Sequence, residues 1–225
     1  MKLLLCSEGF HTPNTVQACV DLVGKPKEEI AVAVINEAFA PEENDKRWVL
    51  HNLNCVADNF PGSFDIVDLL ALSIDEVEAR LEKCDVIFVV GGNTDYLMHI
   101  YKKTGFDKLL LKLLETKVYV GSSAGSIVMG KRPSSDEYLE AFGKEKDFGT
   151  TSYMGLVDLA IRPHMDSSEA PKRREGLLRE SSKGLDFPVY GLRDDAAIVV
   201  NGNEISLIGS MPYIVEPNGL ADSAE

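Results

Sequence analysis

The chain has 225 residues, 44% of them apolar and 26% charged, and its 36 acidic against 23 basic residues give a formal net charge of −13. That length suits one domain, residues 1–225, with a sizeable core. The acidic balance argues against nucleic acid as a partner, which calls for a cationic surface, and the lack of any apolar run near the roughly 20 residues of a membrane span argues against a membrane.

The first apolar run, Leu3–Cys6, soon meets Ser7-Glu8-Gly9. It is too short for a signal peptide and reads as a first strand. Four cysteines (Cys6, Cys19, Cys55, Cys84) lie in apolar settings without a CxxC or a Cys/His pairing. They read as buried, reduced thiols, and a cytoplasmic location is expected. No two His or Cys have ligand spacing, so no metal is expected, and no cofactor.

In chain order, strands are predicted at Lys2–Cys6, Glu29–Ile35, Ser63–Leu69, Asp85–Val90, Lys117–Val120, Asp158–Arg162, Pro188–Leu192, Ala197–Val200, Ile205–Gly209 and Tyr213–Val215. Helical patterns cover Val16–Val23, Glu42–Asp58, Ile74–Glu82, Thr94–Thr104, Phe106–Leu114, Ala124–Gly130 and Pro171–Ser181. Continuously apolar strands alternating with helices indicate an α/β fold. It is read as a three-layer αβα sandwich around a mainly parallel central sheet. Asn201-Gly202-Asn203 between two short strands predicts a C-terminal β-hairpin region. The polar stretch Lys131–Gly155 reads either as a functional loop or as a surface excursion.

Chemistry concentrates after strand ends. Val118-Tyr119-Val120 runs into Gly121-Ser122-Ser123-Ala124-Gly125, a Gly-x-Ser-x-Gly centred on Ser123. Directly after a strand and before a helix, that pattern is the sequence form of a nucleophile elbow. Gly91-Gly92-Asn93-Thr94, Pro163-His164-Met165-Asp166 and Arg193-Asp194-Asp195 each follow another strand. Parallel pairing would gather a glycine turn, a serine, a histidine and a carboxylate on one sheet edge, where open α/β sheets bind ligands. His164 suits the role of base to Ser123, and a following carboxylate suits the role of orienting it. Between Asp194 and Asp195 composition does not choose. Backbone N–H groups of Gly92 and Ala124 are the candidate oxyanion donors. Ser122 and Ser126 are the competing hydroxyls, and His11, after the first strand, is a minor candidate base. His51 and His99 fall within helical patterns and read as surface or packing residues.

Val90-Gly91-Gly92-Asn93-Thr94, Gly121-Ser122-Ser123-Ala124-Gly125, Pro163-His164 and Gly191-Leu192-Arg193-Asp194 occur in the order of the peptidase E group. The chain resembles that group over about residues 1–215. These serine peptidases include aspartyl dipeptidases and cyanophycinases and share the fold of class I glutamine amidotransferases. The resemblance implies a serine nucleophile at Ser123, a base at His164, oxyanion donors at Gly92 and Ala124, and an acid, often Glu in the family, at Asp194. It implies a small peptide substrate and suggests a homodimer. Arg174, within Arg173-Arg174-Glu175, falls near the position of the arginine that reads an N-terminal aspartate, although the matching threonine is absent and the spacing is shorter. The amidotransferases use cysteine at the elbow, so their activity is not expected. The alternatives are a catalytically silent binding or regulatory protein of the same fold, or another small-substrate amidase or esterase.

Overall fold

Strands buried at every position need cover on both faces, and this chain has three of them in its first 122 residues, with a fourth buried at all but its first residue. A computed structural model describes residues 1–135, 138–139, 148–165, 167–168 and 174–217. In it β1 (Lys2–Cys6), β2 (Val32–Ile35), β4 (Val86–Val89) and β5 (Val118–Ser122) are almost wholly buried. With β3 (Phe64–Ile66), β8 (Ala197–Asn201) and β9 (Glu204–Ile208) they form a seven-stranded sheet in the order β3-β2-β4-β5-β1-β8-β9. The pairs from β3 to β1 are parallel, and β8 and β9 close the other edge antiparallel.

Alternation along each strand builds the two outer layers. Leu3, Leu5, Ile87, Val89 and Tyr119 point to one face, against α3 (Ile74–Leu81), α4 (Thr94–Thr104), α5 (Phe106–Leu113) and α6 (Ala124–Ile127). Leu4, Cys6, Phe88, Val118 and Val120 point to the other, against α1 (Pro13–Val23) and α2 (Arg47–Asn59). The expected αβα layering is therefore present.

Local chemistry explains where element ends differ from the sequence reading. Helix α1 begins at Pro13 because Thr12 caps it, its hydroxyl accepting the Thr15 N–H at 3.3 Å, and proline is tolerated in a first turn. Helix α2 begins at Arg47 and not at residue 42, because the Asp45 carboxylate takes the Arg47 N–H at 2.9 Å in a local turn. Residues 27–29 form a 3₁₀ turn, so β2 starts only at Val32. The hairpin β8–β9 closes through Gly202-Asn203, with Asn201 opposite Glu204 and Gly202 at φ +63°. Part of the helix predicted over residues 171–181 lies outside the described residues; α7 is seen over Glu175–Ser181.

One expectation is corrected. β6 (Ala160–Arg162) and β7 (Val189–Gly191) do not extend the central sheet. They pair parallel with each other and, through β7, antiparallel with β10 (Tyr213–Val215), as a separate three-stranded sheet. This sheet has a small core of its own, including Met165, Leu178, Leu185 and Val189. Leu159, Ile161 and Leu192 face the α4–α6 side of the main core. Each of these strands is three residues long, and an apolar run that short carries no mark of which sheet it joins.

The turn from β5 into α6 is where backbones come closest. A Cβ on Gly121 would lie 2.5 Å from the Gly125 backbone, and one on Gly125 would lie 2.3 Å from the Val89 carbonyl oxygen. Both glycines of Gly-x-Ser-x-Gly are thus required by packing. Gly125→Ala should lower unfolding free energy by about 1–3 kcal/mol, the usual cost of forcing volume into a filled interior. Urea denaturation checks this, and an unchanged midpoint would contradict it.

Candidate active site

Because β1 and β5 pair parallel with Cys6 opposite Ser122, the next residues, Ser7 and Ser123, leave the sheet side by side. The Ser123 N–H donates to the carbonyls of Ser7 at 3.0 Å and Cys6 at 3.2 Å. Ser123 itself adopts φ +49°, ψ −109°, a conformation that L-residues rarely hold. It is half-buried between buried neighbours. The two competing hydroxyls are consumed in buried contacts. Ser122 Oγ donates to Asn52 Oδ1 at 3.1 Å, and Ser126 Oγ donates to the Cys6 carbonyl at 2.7 Å.

Ala124 is the first residue of α6, a position whose N–H has no acceptor within the helix. Across from it lies the glycine turn that follows β4. A Cβ on Gly91 would stand 3.0 Å from the Ser123 Cβ and 3.6 Å from its Oγ. Gly92 has φ +134°, and a Cβ there would lie 2.2 Å from the Ala38 carbonyl oxygen, so only glycine fits. Asn93 then caps α4, its side-chain oxygen accepting the Tyr96 N–H at 2.8 Å, while its own N–H donates to Ala38 at 2.8 Å.

His164 and Asp194 arrive from the second sheet. β6 and β7 run parallel with Arg162 opposite Gly191, and the register continues past their ends as Met165 N–H donates to the Leu192 carbonyl at 2.9 Å. Both loops therefore leave in the same direction, and His164 Nδ1 lies 2.7 Å from Asp194 Oδ1. The bond from His164 holds the Asp194 carboxyl below the usual carboxylate range, helped by the imidazole charge, the Ser7 hydroxyl and the field of His11, and opposed by partial burial. A carboxylate acceptor at Nδ1 leaves Nε2 as the basic nitrogen. His164, like Ser123, has positive φ, +60°. Asp195 is occupied elsewhere, accepting the Ser210 N–H and hydroxyl at 3.0 and 2.9 Å.

The remaining candidates are also placed. His11 faces His51, with Nδ1 3.4 Å from His51 Nε2, and approaches Glu8 at 3.8 Å. Arg174 is exposed at the start of α7 and reaches the Ser167 carbonyl at 3.5 Å, on the loop that carries His164. Asp166 and Arg173 lie outside the described residues. His51 and Cys55 are an exception to the reading that no cysteine neighbours a histidine. One turn apart on α2, they bring Nε2 and Sγ within 3.6 Å. Among the described residues no group of three or more His, Cys, Asp or Glu is arranged to hold a metal, and no helix is long and apolar enough to cross a membrane. Cys6 is far from Ser123 in sequence yet opposite Ser122 in the sheet. Its side chain lies in the core under α1, and burial pushes its thiol far above the ordinary value. It is no thiolate nucleophile.

Sequence reasoning missed Ser7. It is fully buried, its Oγ accepts the His164 N–H at 2.8 Å, and it lies 3.4 Å from Asp194 Oδ1.

The fold and this site define a class: a mixed α/β protein with a serine on a strained strand-to-helix turn and a glycine turn at the end of the central sheet, and a histidine–aspartate pair brought in from a second, smaller sheet. The family model for peptidase family S51 matches residues 4–208. The chain belongs to peptidase family S51. Over 140 residues it is 29% identical to an uncharacterized peptidase of Listeria innocua, covering 62% of this chain and 66% of that protein. It is 32% identical over 139 residues to peptidase E of Streptomyces coelicolor, covering 58% and 55%. The chain thus spans just under two thirds of the first of these relatives and about half of the second. A crystal structure of a peptidase E-type protein from Listeria monocytogenes superposes with a TM-score of 0.75 at 24% identity, covering 92% of this chain and 97% of that one. A peptidase from an acI-B1 Actinobacterium gives 0.64 at 15%, covering 93% and 87%. The structural likenesses establish the α/β fold.

A depressed carboxyl makes a signed prediction. Asp194 contributes stability that is full above its unfolded value, roughly 3.9, and is lost as pH falls through its lower folded value. Asp194→Asn should remove that part of the acid limb, so the stability difference between wild type and variant narrows as pH falls below the unfolded value of roughly 3.9. Urea midpoints measured from pH 6 down to pH 2.5 check it, and a constant difference across that range would contradict it.

Proposed function

We propose that this chain is a serine peptidase of dipeptides or other small peptides, with Ser123, His164 and Asp194 as its catalytic residues. The observation that carries the reading is backbone strain. Among the described residues, the two non-glycine residues with positive φ are Ser123 and His164. Strained conformations at about 1–3 kcal/mol each persist where surrounding structure holds them for a purpose. Here both fall on residues whose side chains suit nucleophile and base.

In the proposed reaction Ser123 Oγ attacks the scissile carbonyl while His164 Nε2 takes its proton. Asp194 keeps Nδ1–H in place and balances the imidazolium charge. The carbonyl oxygen, now negative, is met by the N–H groups of Gly92 and Ala124, each donor typically contributing ~3–4 kcal/mol in the transition state. His164 returns the proton to the departing amine as the C–N bond breaks, leaving an ester on Ser123. Water then attacks the ester, giving its proton to His164, and the C–O bond to Ser123 breaks as the hydroxyl is reprotonated.

Substrate choice is the finer part of the proposal. A protein of net charge −13 repels an acidic peptide, so binding one requires a local cation. Arg174, tied to the His164 loop through Ser167, is the proposed partner of a substrate carboxylate, and peptides with N-terminal Asp are the favoured class.

Ser123→Ala should abolish covalent labelling by a fluorophosphonate and all peptide hydrolysis, with the adduct on wild type mapped to Ser123 by mass spectrometry. Persistent labelling of the variant would overturn the assignment. Arg174→Met should raise KM for Asp-X dipeptides relative to Ala-X dipeptides with kcat little changed. Equal effects on both series would remove Arg174 from substrate recognition, and faster turnover of simple esters than of any dipeptide would favour an esterase.

A further inference from the structure

The geometry points to Ser7 as the positioning residue that locks the base and the acid of this site to the nucleophile strand, an inference that rests on the proposed roles of Ser123, His164 and Asp194. Those residues come from two different sheets. Ser123 follows β5 of the central sheet, whereas His164 and Asp194 follow β6 and β7 of the smaller one. Something must set the distance and angle between the two groups, and Ser7 is bonded to both.

Four contacts define its role. The Ser7 carbonyl accepts the N–H of Ser123 at 3.0 Å, which helps hold the elbow in its strained form. The Ser7 N–H donates to the Ala196 carbonyl at 3.1 Å, fixing the segment that leads from Asp194 into β8. The Ser7 hydroxyl accepts the N–H of His164 at 2.8 Å. With its oxygen so engaged, its own proton is directed toward Asp194 Oδ1, at 3.4 Å. That last contact is long for a hydroxyl–carboxylate bond, so the His164 bond dominates. Asp194 Oδ1 is also the oxygen that meets His164 Nδ1, so the hydroxyl and the ring address one atom.

The His164 bond has a specific consequence. At φ +60° the His164 backbone is in the left-handed region, which costs an L-residue energy that its surroundings must offset, even though histidine enters it more readily than most. Ser7 is fully buried, so no water can replace its oxygen without displacing neighbours. Loss of the hydroxyl leaves the His164 N–H without this acceptor and frees His164 to relax toward ordinary φ, which would shift the ring from the position the proposed proton transfer needs.

The test uses Ser7→Ala together with the isosteric pair Ser7→Thr and Ser7→Val, which share a shape and differ in the hydroxyl. Fluorophosphonate labelling of Ser123 should slow on the order of 100-fold in the Ala and Val variants, the scale of a reacting group misplaced by about 1 Å. The fall should sit in kcat for peptides, with KM nearly unchanged, and the Thr variant should retain most of the wild-type rate. The downfield proton resonance of His164 Nδ1–H should shift in the Ala variant. Wild-type labelling rates in Ser7→Ala, or equal rates in the Thr and Val variants, would overturn the inference. Wild-type protein that labels at Ser123 keeps that failure separate from failure of the peptidase reading, which would appear as an unlabelled wild type. Should Ser7→Ala not fold, the Thr and Val comparison decides.

Discussion

The parallel pairing of β1 with β5 is the constraint from which the site follows. It places Cys6 opposite Ser122, so both strands stop at one level and Ser7 and Ser123 emerge together. The pairing sits at the centre of a sheet whose two faces are filled by buried apolar residues. A one-residue slip would turn every one of these side chains to the opposite layer. Core packing thus fixes the register, and the register fixes the neighbour of the nucleophile candidate. The same strand pairs antiparallel with β8, Cys6 opposite Ala197, which brings the Asp194 segment to the same edge from the other side.

Strain is distributed in keeping with this frame. Among the described residues, the two L-residues in the left-handed half of the backbone map are bonded through their N–H groups to one residue, Ser7, to its carbonyl in one case and its hydroxyl in the other. Close packing supports the elbow further, since Gly121 and Gly125 leave no room for side chains between β5, α6 and β4. Local strain of this kind lowers stability unless the surroundings over-determine it. Here they include the best-buried strands of the molecule.

Much of this was legible in the residues. Apolar runs located the strands of the described residues, most plainly β2, β4 and β5, because strands covered on both faces show no polar interruption. Ser123 was legible as a candidate because its turn needs glycines at fixed offsets, and His164 as a candidate because it follows a strand end. Between Asp194 and Asp195 composition did not choose and only the family motif did, since what separates them physically is the turn after β9 where Ser210 engages Asp195. The separate sheet of β6, β7 and β10 was also hidden, as pairing partners leave no trace in three-residue runs. Ser7 could have been found: it follows β1 just as Ser123 follows β5, and asking what succeeds the first strand would have placed it on the same edge. A lone serine before Glu8-Gly9 carries no motif, and its weight comes only from partners 116 and more residues away.

The stretch from Lys131 to Gly155 illustrates how a segment outside the site still bears on it. Its described ends dock on α4. Arg132 forks onto Asp95 at 3.2 and 3.1 Å, the Tyr153 hydroxyl donates to the same carboxylate at 3.0 Å, and Thr150 donates to the Asp95 carbonyl at 2.8 Å. Asp95 is buried in the first turn of α4, two residues past the Asn93 cap and three past Gly92. A carboxylate there is also well placed against the helix dipole. Breaking a buried ion pair by removing one partner strands a charge and costs far more than an exposed pair does. The Arg132 fork therefore does more than tether a surface excursion: it neutralises a buried carboxylate in the first turn of the helix that the Asn93 cap begins, directly after Gly91-Gly92 in the chain.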